Sequence, residues 1–214
     1  MGGLDGPAEG LRFWSWWLDS HLTDRVHLPM SQGKRKRRLA YLREVFGILS
    51  RRRPFVTAYL GHTLVPDTLA NAFPDAIFIR LRRDPVDNAL SILKCMESEN
   101  SEWFSVWPKE CEEIGKLSPH ERVAAQVYWL NRRLDDALVS QQYLEIAYER
   151  LCLKPHTEVS KVIAFCQEKG WNIGLRHDLP DEFKLKKGNP VENDDVRAIE
   201  DALAQLENSY GRLK

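Results

Sequence analysis

The sequence predicts a single α/β domain in which a mostly parallel sheet lies between helices, in three layers. Short apolar runs rich in β-branched and aromatic residues alternate with longer segments of helical periodicity, and polar turns separate them. The 214 residues suffice for one domain with a buried core and not comfortably for two, so we expect the domain to span 1–214. Ligands of such sheets bind beyond the carboxyl ends of the strands.

Composition excludes several classes of protein. Basic and acidic residues number 31 each, so no overall field favours nucleic acid or an anionic membrane. The apolar runs are strand-sized, and the first ten residues lack the features of a signal peptide, so a cytoplasmic protein is expected. The four cysteines lie far apart without a C-x-x-C pair, which favours buried free thiols. No metal ion is expected.

Helical periodicity predicts two helices in the first fifty residues, over 8–22 and 35–50. Pro54 ends the second pattern, and the run from Phe55 to Ala58 is typical of a short strand that leads into a loop. A short helix ending near Phe73 is expected next.

The run from Ala76 to Leu81 is β-rich and apolar on both faces except for one arginine, which predicts a central parallel strand. Asp84 is a good helix N-cap and Pro85 suits the first helical position. A helix over 85–97 is therefore expected, with its amino end against the carboxyl end of the strand.

The second half of the chain continues the alternation. Residues 100–116 have no steady period, which predicts a loop with one helical turn at most. Ser118-Pro-His-Glu121 is a capping box that starts a helix. The run from Tyr143 to Tyr148 predicts another strand, and the helix after it is closed by Gly170. A last helix should turn four apolar residues inward: Val196, Ile199, Leu203 and Leu206.

Arg83 and Ser91 form a candidate anion site. The arginine lies at the carboxyl end of a strand, and the serine follows two helical turns later. A guanidinium fork, the backbone N–H groups of the helix start and a serine hydroxyl together suit a phosphate. The alternative is that Arg83 pairs with Asp84 or Asp87 and that Ser91 is a solvated helix residue.

This segment resembles the second nucleotide motif of the sulfotransferase family, in which an arginine before an Asp-Pro-like turn and a later serine have the spacing of Arg83 and Ser91. Phe73-Pro-Asp-Ala76 and Tyr148-Glu-Arg-Leu151 are also similar to family elements, so the resemblance covers residues 54–170. It implies a P-loop-NTPase-like sulfotransferase fold.

The resemblance also implies an activity. A sulfotransferase would move a sulfuryl group from 3′-phosphoadenosine 5′-phosphosulfate to a hydroxyl or amine of a small molecule or glycan, and would release 3′,5′-adenosine bisphosphate. In the family the arginine and serine bind the 3′-phosphate and the tyrosine lies near the adenine, which points to Arg83, Ser91 and Tyr148. Tyr148 as core filling is the alternative.

Three further sites follow from the resemblance. His62 lies where many family members have a lysine or histidine near the acceptor, and its near-neutral titration would suit it to take the acceptor's proton; alternatively it is a polar turn residue. Trp103 and Trp107 either line the acceptor site or belong to a lid packed on the core. Lys187 and Gly188 either close over the 3′-phosphate, like an Arg-Lys-Gly segment of the family, or form a solvated basic turn.

The family's opening strand and Gly-Thr-Thr-type loop, which cradle the phosphosulfate, have no clear counterpart. Ser31-Gln-Gly-Lys34 is the one weak candidate, and Lys34-Arg-Lys-Arg-Arg38 is better explained as a solvated basic face. We therefore expect an N-terminally incomplete family member or one that has lost the loop.

This departure leaves three interpretations open. Besides an enzyme, the chain fits a non-catalytic nucleotide-binding or interaction module. A small-molecule kinase is the third, although no G-x-x-x-x-G-K-[ST] element is present. Without the opening strand, the sheet would expose an edge or an apolar groove unless the helix over 11–22 covers it or a second chain lends a strand, so a homo-oligomer is a further expectation.

Overall fold

Helices pack around a small parallel sheet. The computed structural model describes residue 14 and residues 31–50, 54–138, 143–175, 178–185 and 193–213. The elements in chain order are α1 (Gln32–Ser50), a 3₁₀ helix (Leu60–Leu64), α2 (Pro66–Ala72), β1 (Phe78–Arg82), α3 (Pro85–Ser98), α4 (Glu110–Glu113), α5 (Pro119–Ala137), β2 (Tyr143–Ala147), α6 (Tyr148–Leu153), α7 (Pro155–Glu168) and α8 (Asn193–Tyr210). Among the helices of these ranges, none has the length and apolar character needed to cross a bilayer.

The sheet of the described residues has two strands, β1 and β2, which run parallel with Phe78 opposite Tyr143 and Arg82 opposite Ala147. The α/β class is confirmed. The strand predicted over 55–58 is wrong, because these residues join no ladder and are exposed to solvent. The three-layer, P-loop-like arrangement stays a prediction.

Most predicted helices are confirmed with small shifts at their ends. The helix expected over 35–50 is part of α1, and the one expected over 85–97 is α3. Tyr148 begins α6 and does not end a strand. The helix expected over 8–22 lies outside the described residues, apart from Trp14, which is helical.

Local capping explains where α3 and α5 begin. The side chain of Asp84 accepts a hydrogen bond from the Asp87 amide at 2.9 Å, and Pro85 takes the first helical position. At α5, the Ser118 hydroxyl accepts from the Glu121 amide at 3.3 Å while the Glu121 carboxylate accepts from the Ser118 amide at 2.8 Å. The hydrogen bond from the Ser118 amide, with a further contribution from the Ser118 side chain, lowers the pKa of Glu121. Both helix starts were readable from sequence.

The main core lies where α3, α5 and α8 meet. The Tyr128 hydroxyl adds a hydrogen bond of 2.6 Å to the Gly211 carbonyl oxygen, which fixes the end of α8 against α5. Of the four residues expected to face inward from the last helix, Ile199 and Leu203 are buried, and Val196 and Leu206 pack against the core. The buried members of this core include Ala89, Leu90, Leu93, Met96, Val123, Val127 and Tyr128.

A buried arginine joins the sheet to α5. Arg80, in the middle of β1, is only 6% exposed. Its Nη1 lies 2.6 Å from the Asp135 carboxylate, and its Nη2 donates to the Asn131 side-chain oxygen at 3.1 Å. Glu145, its partner across the sheet, lies 3.5 Å away. Two carboxylates therefore compensate the charge, and the amide oxygen of Asn131 accepts a further hydrogen bond.

A second, aromatic cluster packs α1 against the 3₁₀ helix, with Trp14, Leu42, Tyr59 and Val65 buried. His62 stands edge-on to the rings of Trp14 at 4.3 Å and Tyr59 at 5.3 Å between centroids. Burial lowers the pKa of His62 from 6.5 to about 4. The imidazole is therefore neutral at pH 7.

The four cysteines are free thiols, as expected. Cys111, Cys152 and Cys166 are buried and Cys95 is half-buried. Burial raises the pKa of the Cys111 thiol to about 12, so this group is protonated at neutral pH.

Removing the partner of Arg80 should destabilise the fold strongly. Asp135→Ala leaves a buried guanidinium with incomplete compensation, so the free energy of unfolding should fall by about 3 kcal/mol or more in urea denaturation. Asp136→Ala is the matched control, because Asp136 is exposed and pairs with Arg132 within one helix at 3.2 Å. That variant should lose about 0.5 kcal/mol or less. Equal losses for the two variants would contradict a buried ion pair.

The stability of the protein should depend on pH through His62. The unfolded imidazole takes up a proton near pH 6.5, whereas the folded one resists protonation until about pH 4. Stability should therefore fall as the pH decreases from 6.5 towards 4, by up to about 3 kcal/mol from this group. Urea titrations of the wild type and of His62→Phe at several pH values measure the difference, and the variant should show a shallower dependence. Parallel pH curves for the two proteins would rule this out.

Candidate functional site

The candidate site lies at the carboxyl edge of the sheet. Arg82 and Ala147 are the last paired residues of β1 and β2, so the residues that follow them emerge side by side. The Arg83 guanidinium lies 5.1 Å from the centroid of the Tyr148 ring, in a cation–π contact. The structure therefore brings together two of the residues selected from sequence.

Ser91 lies on α3, which begins directly after the Arg83 turn. Because successive residues turn by about 100° around a helix, Ser91 points away from the side on which Ala89 and Leu93 enter the core. Ser91 is half-buried. Its position leaves the hydroxyl outside the core packing.

A hydrogen bond that was not predicted joins the two turns of this edge. The amide of Asp84 donates to the Glu149 carboxylate at 3.0 Å, across 65 residues of chain. Glu149 lies within the Tyr148 to Leu151 element, and the sequence pattern indicates no role for it. A carboxylate next to a helix start was the available signal, since such positions often accept backbone N–H groups.

His62 lies in the aromatic cluster and has a different environment from the one expected. Its Nε2 is 3.3 Å from the Thr57 hydroxyl, and its Nδ1 is buried without a hydrogen-bond partner among the described residues. The expectation of near-neutral titration is wrong, because burial lowers the pKa to about 4. His62 lies within the 3₁₀ helix and is half-buried. The described contacts place it beside Trp14 and Tyr59, and none joins it to the Arg83 turn.

The aromatic loop after α3 packs against α5. Trp107 is 6% exposed and contacts Cys111 and Ala125. The Gln126 side-chain amide donates to the carbonyl oxygens of residues 104 and 106 at 2.7 and 2.6 Å, which holds the loop on the helix. Trp103 and Trp107 also line an open cavity of about 160 Å³, together with charged side chains of Glu102, Glu112, Lys116 and Arg122. Trp107 thus contributes to the core, while one edge of the loop borders this cavity.

Two segments that the sequence predicts to contact the nucleotide are not found in that role among the described residues. Lys187 and Gly188 lie outside the described residues. Residues 32–34, in the weak candidate for a phosphosulfate loop, form the first turn of α1. They are helical and do not form a loop between a strand and a helix.

Comparison with known proteins identifies the family. The family model described as "Sulfotransferase family" matches residues 9–172 of the 214, which include β1, β2 and the turns that carry Arg83 and Tyr148. No curated protein and no solved structure gave a significant match. The match to the family model extends over more than half of the chain, and it contains the Arg83 to Ser91 segment at the sheet edge. The chain belongs to the sulfotransferase family.

Proposed function

We propose that the chain binds 3′-phosphoadenosine 5′-phosphosulfate with Arg83 and Ser91 on the 3′-phosphate and Tyr148 beside the adenine. The observation that carries the proposal is the 5.1 Å contact between the Arg83 guanidinium and the Tyr148 ring at the carboxyl edge of the sheet. This is the edge at which open α/β sheets bind ligands. The family membership supplies the reaction class.

The chemistry of this edge fits a phosphate beside an aromatic base. A guanidinium presents parallel N–H donors to phosphate oxygens and can stack on a ring with its flat face. The amino end of α3 adds partial positive charge next to Arg83. Ser91 would contribute one hydroxyl donor from the side of α3 that does not enter the core.

In this proposal the activity is sulfuryl transfer to a hydroxyl or amine acceptor. The bond between sulfur and the leaving phosphate oxygen breaks while a bond from sulfur to the acceptor oxygen or nitrogen forms, and the acceptor loses a proton. His62 is the proposed proton acceptor, since its imidazole is neutral at pH 7. Trp103 and Trp107 are proposed to border the acceptor.

A second candidate function is a nucleotide-binding module without catalysis. The helical state of residues 32–34 favours it, because it removes the one segment that sequence analysis proposed for the phosphosulfate. Both candidates share the nucleotide site. They differ in whether product forms when the donor and an acceptor are supplied.

The nucleotide site is tested by calorimetric titration of 3′,5′-adenosine bisphosphate. Arg83→Ala should weaken binding by about tenfold to a hundredfold, because a charge-assisted pair of hydrogen bonds to phosphate is lost. Arg82→Ala is the matched control, since Arg82 is the neighbouring arginine and lies 3.6 Å from Glu145. That variant should bind within about threefold of the wild type. If the well-folded wild type does not bind the bisphosphate, the proposed function fails.

Removal of the 3′-phosphate from the ligand tests the assignment of Arg83 and Ser91. With 5′-AMP, the wild type should bind about tenfold or more weakly than with the bisphosphate, because the 3′-phosphate contacts are absent. Ser91→Ala should reduce the ratio of the affinity for the bisphosphate to the affinity for 5′-AMP. Ser98→Ala should leave this ratio unchanged, because Ser98 is exposed and lies at the end of the same helix. A ratio that Ser91→Ala does not alter would exclude Ser91 from the phosphate site.

Tyr148 is tested by two substitutions with opposite expectations. Tyr148→Phe keeps a ring for stacking on the base and on Arg83, so affinity for the bisphosphate should change by less than about threefold. Tyr148→Leu removes the ring, and affinity should fall by about tenfold. Calorimetry with both variants measures the difference. Equal affinities would show that the ring does not contact the nucleotide.

A further inference from the structure

Two turns of the candidate site are tied together by one carboxylate. The Asp84 amide, at the end of the turn after β1, donates to the Glu149 carboxylate at 3.0 Å. Glu149 is the second residue of α6, which follows β2 directly. The bond lies beyond the last paired residues of the ladder, Arg82 and Ala147. It is therefore a cross-link between the two strands that the sheet itself does not provide.

This bond and the last pair of the ladder lie on either side of the Arg83 and Tyr148 pair. Arg83 is the single residue between Arg82, which is paired with Ala147, and Asp84, which is bonded to Glu149. Tyr148 is likewise the single residue between Ala147 and Glu149. Each of the two facing residues thus has a cross-link immediately before it and another immediately after it. The backbone positions from which the two side chains approach each other are restrained at both ends.

The carboxylates near this turn have different partners. The Asp84 side chain accepts from the Asp87 amide and starts α3. The Glu149 carboxylate accepts from the Asp84 amide and also places a negative charge near the positive end of the α3 dipole. A hydrogen bond from an amide to a charged acceptor is stronger than one to a neutral acceptor. Loss of Glu149 would remove this hydrogen bond between the Arg83 turn and the start of α6.

We infer that Glu149 is a positioning residue, which sets the distance between Arg83 and Tyr148 and so determines how strongly the site prefers a nucleotide with a 3′-phosphate. The inference rests on the proposed function of this site. Glu149 acts through the backbone and need not touch the nucleotide. Its amide analogue, glutamine, keeps an oxygen that can accept the same hydrogen bond.

The tether itself is tested without ligand, by hydrogen exchange of the Asp84 amide followed by NMR. Asp84 is exposed, so protection of its amide in the wild type should come from Glu149. Glu149→Ala should speed this exchange by about tenfold or more, and Glu149→Gln should retain most of the protection. Glu97→Ala, which removes an exposed glutamate near the end of α3, serves as the control and should leave exchange unchanged.

The positioning role is tested with the same variants by calorimetry. Glu149→Ala should reduce affinity for 3′,5′-adenosine bisphosphate by about tenfold and affinity for 5′-AMP by much less, so that the ratio of the two falls. Glu149→Gln should restore the ratio to within about threefold of the wild type. If Glu149 had only a structural role, Glu149→Ala would lower both affinities by the same factor and leave their ratio unchanged.

The possible results separate this inference from the proposed function. If the wild type binds the bisphosphate and Glu149→Ala keeps the wild-type ratio, the positioning role is wrong and the proposed function stands. If Asp84 exchange is the same in the wild type and in Glu149→Ala, the tether is wrong. If the wild type binds no bisphosphate, the proposed function fails and the positioning role fails with it, whatever the exchange data show.

Discussion

The described fold depends on a positive charge buried in the middle of a strand. Arg80 enters the interior from β1, where an uncompensated guanidinium would be strongly unfavourable. Asp135 and Asn131 on α5, and Glu145 on β2, supply the acceptors. These contacts fix the position of α5 along the sheet. They also favour the register in which Glu145 of β2 lies opposite Arg80 of β1. The carboxyl edge of the sheet, where the candidate site lies, follows from that register.

The signals that sequence reasoning read correctly were local. The capping box at Ser118 and the Asp84-Pro85 helix start are formed by residues within one turn of each other, so the pattern contains the whole interaction. Arg83 and Ser91 were also selected from a local pattern, and their role as a phosphate site stays a prediction. The spacing of the pair was visible along the chain, and the resemblance to a family gave it a chemical meaning.

The features that were missed or misjudged depend on partners far away in the chain. A β-rich run such as 55–58 becomes a strand only if another strand pairs with it, and among the described residues none does. Burial lowers the pKa of His62, and the cluster that surrounds this residue includes Trp14, which lies far earlier in the chain. The hydrogen bond between Asp84 and Glu149 spans 65 residues. Packing and long-range hydrogen bonds therefore account for most of what the sequence alone did not indicate.

The tether between Asp84 and Glu149 has a consequence for the way such sites are recognised and rebuilt. The candidate site is assembled from two short segments, the turn after β1 and the start of α6, which are separated in the chain by α3, α4 and α5. A peptide that carries only the Arg83 to Ser91 segment would contain the sequence motif but would lack the start of α6, which contacts Arg83 and Asp84. Transfer of this site to another protein would require two adjacent parallel strands, followed by the Arg83 turn on one strand and the start of α6 on the other. A linear motif therefore describes only one of the two segments that form the candidate site.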